Sequence, residues 1–393
     1  MVRSSNRLVI AYLVLTIALC SGHLFQTIYA QVWWLLVPIV GLTILWSLQT
    51  IKEKRKIGRV QMVVILFLIM IVLTWVQSLG RGTSSYISMM LYILAGYGVS
   101  RMYSFMKIAN CYVRCMTVVT VIAILGYFLV QNTSVFNYFP SMINVNGIEY
   151  CVAGVFNYVP EDSVRNCGMF WEPGLFATHL VLAMIFEIML SRKVNIIRLI
   201  IFSIGIFTAN SSAGFLLWFL CIMLIFCKNI KNRNSVLSAL SFILLCFGII
   251  IIVHYEQILL QTGLVENEFI YKLLIQNIED SSRIKAVGHN LNSFLSAPIF
   301  GVGFSEASKN MLYVADTSTS TYMMSVFGIS GVLYTICWII GVVKLPRINV
   351  LEKILLILIL LIIINKEPHI KLLFSWCLLF LLIRGISPLS NNE

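Results

Sequence analysis

The chain has 393 residues, of which 59% are hydrophobic and only 11% charged, and its mean hydropathy is +0.92. A soluble globular domain cannot hide that much apolar surface, so that class is excluded and a lipid-embedded chain is expected. The net charge of +12 is distributed as a topology signal, so no nucleic-acid partner is expected.

A bilayer-spanning helix needs ~20 apolar residues. Twelve such stretches follow in chain order, near 8–24, 31–49, 61–78, 86–101, 110–130, 173–191, 196–210, 212–228, 235–253, 321–343, 351–365 and 372–386. In lipid the backbone must satisfy its own hydrogen bonds, so these read as helices. The expected fold class is all-α, a polytopic integral membrane protein of about 12 transmembrane helices, with residues 1–393 as one membrane domain. The first stretch follows Arg3 and Arg7 without a small-residue cleavage site, which reads as a retained helix. Asn210-Ser211-Ser212 alone separates the seventh and eighth stretches, predicting a tight helical hairpin.

Alternating through twelve spans from a cytoplasmic N-terminus puts 20 of the 28 basic residues inside, among them Lys52, Lys54, Arg55, Arg101, Arg198, Lys228, Lys344 and Arg384. The outer side then receives 12 of the 16 acidic residues. This is the asymmetry of the positive-inside rule, with both termini cytoplasmic. Two long polar loops fall outside, at 131–171 and 254–320.

The first loop ends Arg165-Asn166-Cys167-Gly168-Met169-Phe170-Trp171-Glu172-Pro173. Pro173 suits the first helical turn, and Glu172 at or beside the N-cap is favourably placed against the positive end of the helix dipole. Phe170 and Trp171 suit the membrane interface. A capped helix behind an aromatic belt explains these residues without any function. Arg165 has no such structural excuse in the sequence, although a lone arginine is usually a solvated charge. Cys151 and Cys167 fall in this loop, where a disulfide and two free thiols are equally expected. The remaining cysteines sit in or beside the spans as small hydrophobes, and no Cys/His spacing resembles a metal site.

In the second loop, Ile284, Val287, Leu291, Phe294 and Leu295 recur at helical spacing behind Ser281 and Ser282, predicting an amphipathic helix along the outer surface. Arg283 lies in its first turn and His289 further along. Pro298-Ile299-Phe300-Gly301-Val302-Gly303 then reads as a turn whose glycines permit close backbone approach. That is weak evidence for phosphate binding, and a tight surface turn is the commoner explanation. Charges inside the spans are nearly absent. Glu187, late in the sixth, is expected to pair with Arg192 or Lys193.

Four features, in order, carry a family resemblance: Arg165, Gly168, Phe170, Glu172 and Pro173; the hairpin Thr208 to Gly214; Arg283 with the amphipathic helix and the Pro298–Gly303 turn; and Thr321-Tyr322-Met323-Met324 before Phe327-Gly328-Ile329-Ser330-Gly331. On these, spanning roughly residues 160–345, the chain resembles the O-antigen polymerase and ligase superfamily of bacterial membrane proteins. Asp316-Thr317-Ser318-Thr319-Ser320-Thr321 carries no histidine where the ligase branch places one, which favours a polymerase.

The resemblance implies glycosyl transfer at the outer face of the bacterial cytoplasmic (inner) membrane, from a polyprenyl-diphosphate-linked oligosaccharide to the sugar hydroxyl of another lipid-linked repeat unit. Its product would be O-antigen, capsule or exopolysaccharide. Arginine's fork matches the oxygens of a departing diphosphate, and stabilising that charge should be the largest catalytic term. Arg165 and Arg283 take that role, with Arg81 as a weaker third cation. Glu172 is the candidate base, with His289 and Asp316 behind it. Its N-cap position favours the anion, so an alternative role is to orient Arg165 or bind sugar. Gly301 and Gly303 join Arg81, His289 and Asp316 as candidate substrate contacts. No cofactor or metal is expected. Membrane lipid, a chain-length regulator and a flippase of the same pathway are the implied partners. The rival readings are a ligase, a lipid-linked oligosaccharide flippase or other twelve-helix transporter, and a non-catalytic scaffold. A transporter would show similar halves and charged cavity residues within the spans, and the sequence shows neither.

Overall fold

The computed structural model describes residues 14, 20–28, 41, 58–144, 147–162, 164–190, 194–231, 282–309, 318–346 and 348–385. The expected spans at 8–24 (apart from its last residues), 31–49 and 235–253, and the start of the second loop, lie outside them. The fold is 74% helical. In chain order the main helices are α1 (Arg59–Gln77), α2 (Thr83–Met102), α3 (Phe105–Asn132), α4 (Pro173–Leu190), α5 (Ile196–Ala209), α6 (Ser212–Lys231), α7 (Ser282–Ser296), α8 (Gly303–Ala307), α9 (Thr319–Phe327), α10 (Val332–Val343), α11 (Val350–Ile364) and α12 (Leu373–Arg384). Among the described residues three segments are long and apolar enough to cross a membrane: Val60–Gln77, Phe105–Asn132 and Thr319–Val343. Shorter apolar helices occupy α4, α5, α6 and α12.

Local signals set the helix ends. Ser104 accepts from the Lys107 amide at 3.4 Å and Asn195 from the Arg198 amide at 3.2 Å, satisfying first-turn donors. Asn349 and Glu352 form a reciprocal capping box that starts α11. Asn210, at φ 48°, ends α5 in the left-handed conformation and turns the chain directly into α6, so the expected hairpin forms. The expected span at 321–343 is not one continuous α-helix. It breaks at a 3-10 turn, Gly328–Gly331, between α9 and α10.

Two helices form the centre. Every residue of α4 from Leu175 to Ile188 is buried, and so is α12 from Leu373 to Ile383. α4 packs on α3, α5 and α6, and α12 packs on α2 and α10. Gly96 lets α2 reach α12 closely: a Cβ there would lie 2.8 Å from the Trp376 backbone. The outer helices instead expose apolar faces, such as Ile65, Ile69, Val72 and Val76 on α1, and Val118, Ile122, Leu125 and Leu129 on α3. A buried core with an apolar surface is what a lipid-facing bundle requires.

The first long loop adds short strands to this otherwise helical fold. It contains a small antiparallel sheet ordered β1 (Ser141–Ile143), β2 (Glu149–Val152) and β3 (Asn157–Tyr158), with Cys151 opposite both Ser141 and Tyr158. The loop is tied down. Tyr150 Oη donates to the Trp171 carbonyl at 2.7 Å, and the Trp171 amide donates to the Gly22 carbonyl at 3.1 Å.

Contacts divide the bundle into two ends. At one, Arg384 reaches the carbonyl of Tyr103 at 3.4 Å, Arg198 pairs with Glu187 at 2.9 Å and Lys353 reaches the Val343 carbonyl at 2.6 Å. These residues all belong to the basic side of the sequence assignment. Glu187 is paired with Arg198, because the turn into α5 brings the first turn of that helix alongside it, and the expected partners Arg192 and Lys193 lie outside the described residues. The described parts of the long loops, the α5–α6 hairpin and the α11–α12 connection share the opposite end.

Candidate functional site

At the loop-bearing end, the connection between α11 and α12 plunges into the protein. Lys366, Glu367 and His369 are all buried. Asn365 caps α11 by donating to the Leu361 carbonyl at 2.9 Å, and its Oδ1 accepts from the Ser320 amide at 2.9 Å. That fixes the turn against the start of α9. The Thr319 hydroxyl donates to the Glu367 carbonyl at 3.0 Å and accepts from the His369 amide at 2.9 Å. His369 Nδ1 and Ser375 Oγ are hydrogen-bonded at 2.6 Å.

Lys366 lies among helix starts. Its Nζ donates to Ser211 Oγ at 3.0 Å, just before α6, and sits 3.6 Å from the Glu367 carboxylate. It also packs where a Cβ on Gly174 would stand, in the first turn of α4. The positive ends of two helix dipoles disfavour a cation there. Glu367 beside it, and Glu172 at the α4 start, supply compensating negative charge. The Glu172 carbonyl accepts from the Leu175 and Phe176 amides at 3.1 and 3.2 Å, so Glu172 holds the expected N-cap position.

Burial, together with the nearby His179 and Lys366 charges, pushes the His369 pKa down to about 3, outweighing the Ile363 carbonyl that favours the proton. The unfolded chain would take up that proton near pH 6.5. The unfolded state therefore binds more protons below that pH, and folding loses stability as pH falls from 6.5 toward 3. We expect the unfolding midpoint in detergent to drop between pH 7.5 and 5, and His369→Gln to flatten that decline. An unchanged slope in the variant would place the pH dependence elsewhere.

Arg165 has a local partner that its sequence context did not reveal. It donates to Asp162 Oδ2 at 3.1 Å across three residues, with both groups partly exposed. The next residue, Asn166, is fully buried. Its amide donates to the Thr208 carbonyl at 2.9 Å, and its side chain donates to Thr208 Oγ1 at 3.0 Å and the Ala123 carbonyl at 3.1 Å. The Arg165 run is thus stitched to the Thr208 hairpin. Cys151 and Cys167 are free thiols, which decides between the two expectations. The Cys167 thiol donates to the Asn157 carbonyl at 3.1 Å, and burial pushes its pKa up to about 12.

The second loop forms its own unit. α7 exists as expected, and it docks on α9 by burying Ala286 and Asn290, whose Nδ2 donates to Thr321 Oγ1 at 3.1 Å. Arg283 lies in its first turn, but its side chain, like Asp316, is outside the described residues. His289 Nε2 is hydrogen-bonded to the Ala307 carbonyl at 3.4 Å. Arg81 lies 3.8 Å from Glu306, which also pairs with Lys309 at 3.2 Å. Arg81 and His289 therefore reach α8, which Gly303 begins and Gly301 closely precedes, whereas Arg165 and Glu172 belong to the first-loop unit. The close approach that the glycines permit is to the protein's own backbone and side chains. Gly301 (φ 76°) lies on the Val326 carbonyl, and a Cβ on Gly303 would stand 2.9 Å from Tyr86 Oη.

Lys366, Glu367, His369 and Ser211 were not among the sequence candidates. The signal was present in Asn365-Lys366-Glu367-Pro368-His369-Ile370-Lys371, three charges and a histidine between two apolar runs. The Lys366 turn bridges the two loop units, touching the α5–α6 hairpin through Ser211 and α9 through Thr319. Among the described residues no group of three or more His, Cys, Asp or Glu could hold a metal ion. No protein-family model, curated protein or solved structure matches the chain.

Proposed function

We propose that the chain is a twelve-span glycosyltransferase of the bacterial cytoplasmic membrane, with both termini inside, that polymerises polyprenyl-diphosphate-linked oligosaccharide repeat units at its outer face. The observation that carries this reading is spatial. The four motif-bearing segments, far apart in sequence, associate at one end of an apolar bundle, in two pairs bridged by Lys366. The Arg165 run joins the Thr208 hairpin, and the helix and turn after Arg283 join α9 and the 3-10 break.

In the proposed reaction, a sugar hydroxyl of the acceptor attacks the anomeric carbon of the donor chain. A new glycosidic bond forms as the bond to the lipid diphosphate breaks, and the diphosphate leaves with the bonding electrons. Arg165 and Arg283 receive its charge, with Arg81 as the third cation. Asp162 holds Arg165 in place by a partly exposed ion pair, which a diphosphate can displace at small cost. The acceptor's proton goes to a carboxylate or imidazole. Glu172 at the α4 start is the first candidate, followed by His289 and Asp316. At the helix N-terminus Glu172 is also placed to bind a sugar hydroxyl or orient an arginine. A flippase supplying the substrate and a chain-length regulator are the partners of this reading.

The test supplies purified protein in liposomes with polyprenyl-diphosphate repeat units alone. A ladder of lengthened lipid-linked glycans is the expected product. Transfer only to a different acceptor would replace this reading with ligation, and movement of substrate without transfer would replace it with transport.

A further inference from the structure

α7 turns apolar residues outward. It buries polar Asn290 against α9 and leaves Leu295 70% exposed. The turn that follows exposes Ile299 (66%) and Phe300, and the neighbouring 3-10 break exposes Ile329 (67%). These residues are contiguous, because the Ile329 amide donates to the Pro298 carbonyl at 2.7 Å and Gly328 lies against the Ile299 carbonyl. The turn also abuts the end of α1: Thr74 Oγ1 donates to the Phe300 carbonyl at 3.5 Å, and Gly303 packs on Ser78. There Leu79 holds a left-handed φ of 51° and is 84% exposed. A bulky residue is rarely tolerated in that conformation, and helices usually end there with glycine or asparagine. A strained leucine pointed away from the protein is costly in water.

We propose that Leu79, Leu295, Ile299, Phe300 and Ile329 form a ridge embedded in the lipid leaflet at this end of the bundle, with phospholipid as its partner. The ridge is continuous with lipid-facing surface. The ridge extends the exposed apolar stripe of α1 (Val72, Leu73, Val76), and on its other flank that of α10 (Ile336, Ile340, Val343). Trp75, whose indole donates to Thr83 Oγ1 at 3.1 Å, sits one turn before Leu79, a placement typical of the membrane interface. Charge agrees. Exposed Arg81, Lys285 and Lys309 are placed on the flanking segments, where lipid phosphates would lie. α7 and the turn after it are thereby docked into the leaflet instead of standing in water. This inference does not depend on glycosyl transfer.

The experiment uses the full-length protein in phosphatidylglycerol–phosphatidylethanolamine nanodiscs. One sample carries a phospholipid with a diazirine on its acyl chain, another a water-soluble diazirine, and labelled peptides are mapped by mass spectrometry. The lipid probe should label the peptides of Leu79 and of Leu295–Phe300 as it labels α1, and should leave the exposed Pro160–Glu161 turn unlabelled. In Ile299→Asp/Phe300→Asp, lipid labelling of the Leu295 peptide should be lost while that of α1 persists, which also shows that the bundle is intact. Labelling of the ridge by the water-soluble probe alone would overturn the proposal. Protection from both probes would overturn it too, assigning the ridge to a second copy or another protein.

Discussion

Lys366→Met and Glu367→Gln should each destabilise the protein by about 3–5 kcal/mol, whereas the double variant should recover most of that loss. Both side chains are at most 5% exposed and lie 3.6 Å apart, so either single change removes an opposite charge from beside a buried ion. The lysine case is asymmetric. Removing the ammonium leaves Glu367 near the positive ends of α4 and α6, which soften the penalty. Removing the carboxylate leaves the ammonium against those same ends, so Glu367→Gln should be the worse of the two. Detergent unfolding titrations of the two single variants and the double variant give the coupling directly. Losses of 1 kcal/mol or less in both singles, as for exposed pairs, would mean that the turn is solvated and not built into the core.

Gly301→Val should cost about 3–5 kcal/mol and deplete the folded protein in the membrane. Three effects coincide at this residue. Its φ of 76° is an outlier for a β-branched side chain, a Cβ would run into the Val326 carbonyl, and the opposing Gly328, at φ 63°, has the Ile299 carbonyl 2.5 Å from its own Cβ position. Two backbones thus cross where neither can retreat. Gly154→Ala is the control. Gly154 shares the left-handed conformation at φ 79° but has open space around it, so only the conformational cost of about 1–2 kcal/mol remains. The ratio between the two variants, read from unfolding in detergent, separates crossing from strain. Equal losses would mean that the crossing of the Ile299–Gly301 turn over Val326–Gly328 contributes nothing.

Much of the helix inventory was legible because apolar runs of bilayer length have few alternatives. The expected 173–191 and 351–365 stretches became Pro173–Leu190 and Val350–Ile364, each bounded by a residue whose capping chemistry is visible in the sequence. Glu172 was placed correctly for the same reason. What could not be read depends on tertiary packing. Strands of two to four residues are too short to show alternation, so the sheet in the first loop left no pattern. Glycines at 328 and 331 signal close packing but do not say whether a helix continues through them, and here it breaks. α7 showed its amphipathic spacing, yet which face meets protein was decided by Thr321 waiting for Asn290. The Lys366 turn was passed over because charges in a short connection are ordinarily solvated. Its burial follows from three helix starts converging on it, which no local window contains. Arg165 appeared isolated because an ion pair three residues apart in a loop depends on the turn that brings the partners together.

The central claim is that outer-face arginines receive the diphosphate of a lipid-linked glycan donor. Its most direct test is the liposome polymerisation assay, run on wild type, Arg165→Ala and Arg283→Ala at equal amounts of folded protein. Wild type should give a ladder, and both variants should lose at least ~100-fold, as when a donor to the developing charge is removed. A ladder that persists in both variants would contradict the claim.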